Sequence, residues 1–291
     1  MELKIRENQH GKYVIIHSND FSEGIEFALQ NKVSQIQLRG AIGTITQKID
    51  FGLFKKISNQ IKVLSISNLN NTIIENLEGI YELKNLETIF LSDKLNFELD
   101  ISKFGNLTQF GGVYTKKTLN LERHKNIKTL VISSGYPAIN LSFLNKLENL
   151  TTLHIYKANK LDNLVGIENL INLKEITIAH CSKINSIVEI LNSRLEKLSI
   201  EKCKLLTDFS FLKGNNSIKE IFIDKLDSIE FIKNMPNLER INFWDCIDGD
   251  LTPLLNLKRL KQINFYPNKK HYSHTIEEII NITGASRGRN N

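Results

Sequence analysis

The stretch LDNLVGIENLINLKEITIAHCSKINSIVEI, residues 161–190, carries an apolar residue or a cysteine at every third position. The series is Leu161, Leu164, Ile167, Leu170, Leu173 and Ile176, then Ile178 two positions on, then Cys181, Ile184, Ile187 and Ile190. A helix repeats its buried face near 3.6 residues and a strand at 2, so a run of threes broken by a single two is neither. It describes a coil with one short strand per turn. That strand is Lys174-Glu175-Ile176-Thr177-Ile178, with Ile176 and Ile178 pointing inward and Glu175 and Thr177 outward. A unit of this kind cannot bury its apolar side alone and must stack on copies of itself.

The same signature extends along most of the chain. The first inward strand residue of each coil is Ile36, Leu64, Ile89, Phe110, Leu130, Leu153, Ile176, Leu198, Ile221, Ile241 and Ile263, separated by 28, 25, 21, 20, 23, 23, 22, 23, 20 and 22 residues. This predicts about eleven coils. The least regular are the long coil around Gly40 to Lys56 and the one at Phe110, where Gly111 and Gly112 replace strand formers and predict a bulge. Residues 1–31 break the repeat and read as an N-terminal cap: a strand over Lys12 to His17, then a short helix capped by Asp20 or Ser22 and carrying Ile25, Phe27, Ala28 and Leu29. Residues 32–266 form the solenoid. Residues 267–291 read as a C-terminal cap, in which Pro267 ends the strand pattern and Thr275 with Glu278 forms a capping box. Ile276, Ile279 and Ile280 then cover the last coil, and Gly284 to Asn291 form a frayed tail.

On these residues the chain resembles the leucine-rich repeat superfamily, and in particular the 22-residue class of bacterial internalins and eukaryotic phosphatase regulators. The pattern LxxLxLxxN followed by IxxIxxL is met by Leu173, Ile176 and Ile178, with Cys181, Ile184 and Ile187 in register. The resemblance implies an α/β solenoid: a curved right-handed coil with a parallel concave β-sheet and short or irregular convex segments. Secreted internalins carry signals and anchors, and neither motif is present here. The ending from Asp250-Leu251-Thr252-Pro253-Leu254 through His271-Tyr272-Ser273-His274-Thr275 is similar to bacterial proteins of toxin-immunity loci, which implies an immunity protein.

Composition agrees with a folded chain. Of 291 residues, 41% are hydrophobic and 24% charged, which excludes disorder over most of the length. Neither a signal-length apolar run at Met1 to Arg6 nor any membrane-length apolar stretch is present, so the chain reads as cytoplasmic. The net charge of +6 and pI near 9.0 invite a nucleic-acid reading. The basic residues are scattered, however, and only Arg287-Gly288-Arg289 clusters, which favours a solvated basic surface over a phosphate-binding stripe.

Candidate chemistry is sparse. Cys181, Cys203 and Cys246 each follow an inward strand residue by three positions and read as a buried structural ladder. His271 and His274 form an HxxH pair without further zinc ligands, and Asp245, Asp248 and Asp250 miss the calcium-loop spacing and read as a turn. Asn106-Leu107-Thr108 and Asn149-Leu150-Thr151 are glycosylation triplets only by overlap with the Asn-rich repeat. Phosphate-loop, acyl-transfer and zinc-protease signatures are absent. The chain therefore reads as a non-enzyme that takes no cofactor, metal or small-molecule substrate.

Strand alternation leaves an outward face, and its occupants are informative. His154, Tyr156, Glu175, Glu201, Glu220, Phe222, Asp224, Arg240, Trp244 and Tyr266 are predicted to form a partner-binding surface. It holds the chain's single Trp, with Tyr and Phe, at positions where small polar residues are ordinary. Glu175, Glu201, Glu220 and Asp224 suggest an acidic patch and hence a basic protein partner, a toxin domain or an enzyme. The alternatives are a regulatory scaffold for an enzyme such as a phosphatase and a basic nucleic-acid-associated protein.

Overall fold

The run of threes is written directly into the hydrogen bonds. Leu161 N–H donates to the carbonyl of Ala158 (3.1 Å), Ile167 to Leu164 (3.0 Å), Leu170 to Ile167 (3.0 Å) and Leu173 to Leu170 (2.9 Å). Each of these four residues thus closes a turn on the residue three positions before it, the spacing of a 3₁₀ helix. In the computed structural model, which describes residues 3–8, 11–41 and 46–288, such turns form the return segments. Met1 and Glu2, part of the long coil after Gly40, and Arg289 of the basic tail lie outside the described residues.

The chain divides into two compact units, residues 1–135 and 136–291. In the first, the antiparallel pair Arg6–Asn8 and Gly11–His17 is followed by parallel strands Gln35–Arg39, Val63–Ser67, Thr88–Leu91, Gln109–Val113 and Thr129–Ser134. In the second, Thr152–Tyr156, Glu175–Ala179, Lys197–Glu201, Glu220–Leu226, Arg240–Cys246, Gln262–Phe265 and Ser286–Arg287 stack in parallel. The eleven sequence markers all lie in these strands and none is more than 3% exposed. Within each unit they pair with one another: Ile36 with Leu64, Leu64 with Ile89 and Ile89 with Phe110 in the first, and Ile176 with Leu198 and Ile221 with Ile241 in the second. The fold is a leucine-rich-repeat solenoid.

Asparagine explains how coils are spaced at the turn before each strand. Asn85, Asn106, Asn126, Asn172 and Asn237 each donate through Nδ2 to a backbone carbonyl of the preceding coil, at 2.7 to 2.9 Å. These bonds satisfy acceptors that no strand reaches. The cysteines are buried, and Cys181 Sγ lies 3.4 Å from the Ala179 carbonyl and Cys203 Sγ 3.5 Å from that of Glu201. Burial, with Asp248 beside it, pushes the Cys246 thiol up to about 12.

The glycines at 111 and 112 are a packing device. A Cβ on Gly111 would meet the Phe90 ring at 2.6 Å, and one on Gly112, at φ +136°, would lie 2.0 Å from the Leu91 carbonyl oxygen. The irregularity there falls on the partner strand, between Ile132 and Ser134.

At the amino end, the strand before helix α1 (Phe21–Gln30) joins the ladder, with Val14 opposite Ile36 and Ile16 opposite Leu38. Asp20 occupies the N-cap but its side chain makes no capping bond. The buried face of α1 is Phe21, Gly24, Ile25 and Ala28, whereas Leu29 is exposed. Two small parallel pairs that no local pattern announced, Gln47–Asp50 with Thr72–Glu75 and Leu99–Asp100 with Thr118–Leu119, line return segments of the first unit.

At the carboxyl end the capping box forms: Thr275 N–H donates to Glu278 Oε2 (2.7 Å) and Glu278 N–H to Thr275 Oγ1 (3.3 Å). Helix α2 (Ile276–Thr283) buries Ile276 and Ile279. The expectation of a frayed tail is corrected over its described part, residues 284–288, while residues 289–291 lie outside the described residues. Ser286–Arg287 pairs in parallel with Gln262 and Ile263, Gly288 N–H donates to the Ile263 carbonyl (2.8 Å), and Arg287 meets Glu277 at 3.3 Å. The segment ends the ladder because the Gln262 strand still offers unpaired backbone groups on its outer edge.

Candidate functional site

In the second unit the outward residues fall into three rows running across the strands. The first row, at the strand starts, is Thr152, Glu175, Lys197, Glu220, Arg240 and Gln262, in pairing register. The second is His154, Thr177, Ser199, Phe222, Asn242 and Asn264. The third contains Tyr156, Ala179 and Glu201, and continues through Asp224, Trp244 and Tyr266, because Ile223 pairs with Phe243 and Phe243 with Phe265. Neighbours in a row stand about 4.8 Å apart.

These rows line an open groove of about 990 Å³. It gathers eight of the ten predicted residues: His154, Glu175, Glu201, Glu220, Phe222, Arg240, Trp244 and Tyr266. Tyr156 and Asp224 stand outside its lining. Lys197, Ser199, Asn242 and Gln262 line it too. Alternation placed these four on the outward face, but nothing local to each residue marked them as part of a site.

The charges are not arranged as one acidic patch. Glu175 Oε1 accepts from His154 Nε2 and lies 3.1 Å from both His154 Nε2 and Lys197 Nζ, while Glu220 pairs with Arg240. The first row therefore alternates in sign and cancels itself. Immediately outside it runs a second alternating series in opposite phase, with Glu196 bridged by Lys174 (3.2 Å) and Lys219 (2.6 Å), and Glu239 by Lys261 (2.8 Å). The dipeptides Lys174-Glu175, Glu196-Lys197, Lys219-Glu220 and Glu239-Arg240 are the sequence signal for this checkerboard. Its partners lie a full coil apart and meet only where the strands stand in register.

The one carboxylate of these rows without a cation partner among the described residues, Asp224, lies in the third row. Asp224 Oδ2 accepts from Lys202 N–H (2.8 Å), holding the left-handed turn at Lys202, φ 50°. Asp93 does the same for Asn68 in the first unit (3.0 Å), so this bond is part of the fold. No cation pairs with Asp224 among the described residues. Burial is the main cause raising its pKa, the Lys202 amide opposes it, and the charge of Glu201 adds to it. Among the described residues Glu201 is approached from the turns, by Lys202 Nζ at 3.3 Å and His180 Nε2 at 3.9 Å. Tyr156 feels both Glu201 and Glu175, and burial with their charges raises its phenol.

Beside these carboxylates lie the aromatic side chains. Trp244 is 41% and Tyr266 64% exposed, and the Phe222 and Trp244 rings meet edge to face at 5.4 Å. The other sequence candidates are occupied elsewhere. His271 Nε2 lies 3.2 Å from the Cys246 carbonyl and His274 Nδ1 2.9 Å from Ser273 Oγ. Asp248 accepts from Asp250 N–H, Asp250 from Thr252 N–H, and Asp245 pairs with Lys269, which makes this segment a turn.

No protein-family model matches the chain, and no curated protein sequence matches it. Solved structures do. An internalin from Listeria monocytogenes is similar over 92% of this chain and 87% of its own, at 17% identity and a TM-score of 0.56. The mouse RP105/MD-1 complex contains a chain similar over 79% of this one and 42% of its own, at 14% identity and a TM-score of 0.54. At these identities the likeness is one of fold, a leucine-rich-repeat solenoid.

Proposed function

We propose that this chain is a non-enzymatic binding protein of the cytoplasm that holds a protein partner on the outward sheet face of its second unit. The observation that carries the reading is the exposed Trp244 and Tyr266, with the half-buried Phe222 against the indole, over a groove of about 990 Å³. Exposed indole and phenol rings are costly to leave in water and are the side chains most often found at binding hot spots. A groove walled by strands keeps them in place without further ordering, which lowers the entropy cost of association. The partner class we favour is a toxin domain blocked by this chain, an immunity function supported by the resemblance of the carboxy-terminal segment to proteins of toxin-immunity loci.

Purification of the chain with its partner from the native host, followed by quantitative binding of the identified partner, tests this. Trp244→Ala is expected to weaken binding by about 2 kcal/mol, roughly thirtyfold, with the fold retained because Trp244 contributes little to the core. Undiminished affinity would remove the face from consideration. For the immunity reading, co-expression should rescue growth of cells producing the partner, and Trp244→Ala should abolish the rescue.

A further inference from the structure

The three rows differ in what they leave for a partner to satisfy. In the first, Glu175 is taken by His154 and Lys197 and Glu220 by Arg240. The second row contains no Asp, Glu, Lys or Arg. The third keeps Asp224, which has no cation partner among the described residues, in the strand beside Glu201, which meets Lys202 and His180 from the turns, and it is followed by the exposed indole of Trp244. Asp224 is partly buried and accepts a backbone amide, so its charge is held in place and cannot swing out into water.

A cation seated here would meet negative charge on one side and the exposed indole of Trp244 on the other. Of the two protein cations, the guanidinium fits better: it is planar, weakly hydrated, stacks on an indole, and reaches two carboxylates at once through its forked donors. An ammonium is more strongly hydrated and loses more on leaving water. We propose that the third row, at Glu201, Asp224 and Trp244, receives an arginine side chain of the protein partner. The inference rests on the reading that this face binds a protein and specifies the chemistry of the contact. Charge complementarity selects the occupant: the overall charge of the chain is +6, yet this lane is locally negative.

The chain has one Trp, so its emission reports on this lane alone. Short blocked peptides carrying arginine, lysine or the neutral isostere citrulline at the same positions are titrated at low salt. The arginine peptide is expected to change Trp244 emission saturably, the lysine peptide to bind several-fold more weakly, and the citrulline peptide at least about tenfold more weakly. Glu201→Gln with Asp224→Asn, which keeps the acceptor for Lys202, should lose about tenfold for the arginine peptide. Glu201→Gln alone, at a position that holds no turn, should lose part of that affinity. Emission unmoved by the arginine peptide at millimolar concentration, equal binding of citrulline, or full binding by the double variant would each overturn the proposal. If those results came with loss of the native partner in Trp244→Ala, the binding face would stand and only the arginine contact would fall. Retention of the partner in Trp244→Ala would bring down both.

Discussion

Asp224 carries two tasks that pull in different directions. Its carboxylate fixes the turn at Lys202 through a 2.8 Å bond, and its charge lies partly buried beside Glu201. Because its folded pKa is raised, the folded state binds more protons than the unfolded one between the ordinary carboxylate range and that raised value. Stability therefore falls as pH rises through this window, and the charge costs stability in full above it. Asp224→Asn keeps an acceptor for Lys202 and removes the charge. It is expected to melt about 1–2 °C above the parent at pH 7, with the gain shrinking toward zero as pH is lowered to about 4; calorimetric scans across pH check this. A residue that costs stability where it stands is a common mark of a functional position.

Among elements, the alternating ion pairs outside the strands act as a register device. Glu196 is held between Lys174 and Lys219, and the adjacent row repeats the alternation in opposite phase. A slip of one coil would set like charges opposite each other, which is unfavourable in a parallel ladder. Each pair is exposed and individually weak, so the arrangement acts through specificity more than strength. Glu196→Lys should lower the urea midpoint at low salt, and the difference from the parent should largely vanish at 1 M salt, where the screening length is about 3 Å. A loss independent of salt would show that Glu196 acts through packing.

For the whole molecule, the question is what the +6 charge means. Many lysines and arginines are already paired, including Lys62 with Glu87, Lys103 with Glu78 and Lys261 with Glu239. Arg287, expected in a loose basic tail, is part of the sheet and meets Glu277. A continuous phosphate-binding stripe needs unpaired cations aligned on one surface. The chain is accordingly expected to leave heparin at low salt with a shallow salt slope, equivalent to about one or two phosphate contacts. Retention into high salt with a steep slope would restore the nucleic-acid alternative.

The sequence alone determined what depends on local period. The spacing of Leu173, Ile176 and Ile178 located the strands, their inward sides and the buried turn cysteines, because alternation and the three-residue turn are local geometry. Thr275 and Glu278 announced the last helix for the same reason. Only the tertiary structure decided the fate of charges: Glu175 reads as free acid in the chain and is paired in the fold, since His154 and Lys197 lie 21 and 22 residues away. It likewise decided that Ser286–Arg287 joins the ladder, because nothing in two polar residues after a helix specifies an edge. Contact between residues a full coil apart is set by stacking, and stacking is where the face of Trp244, Phe222 and Asp224 takes its character.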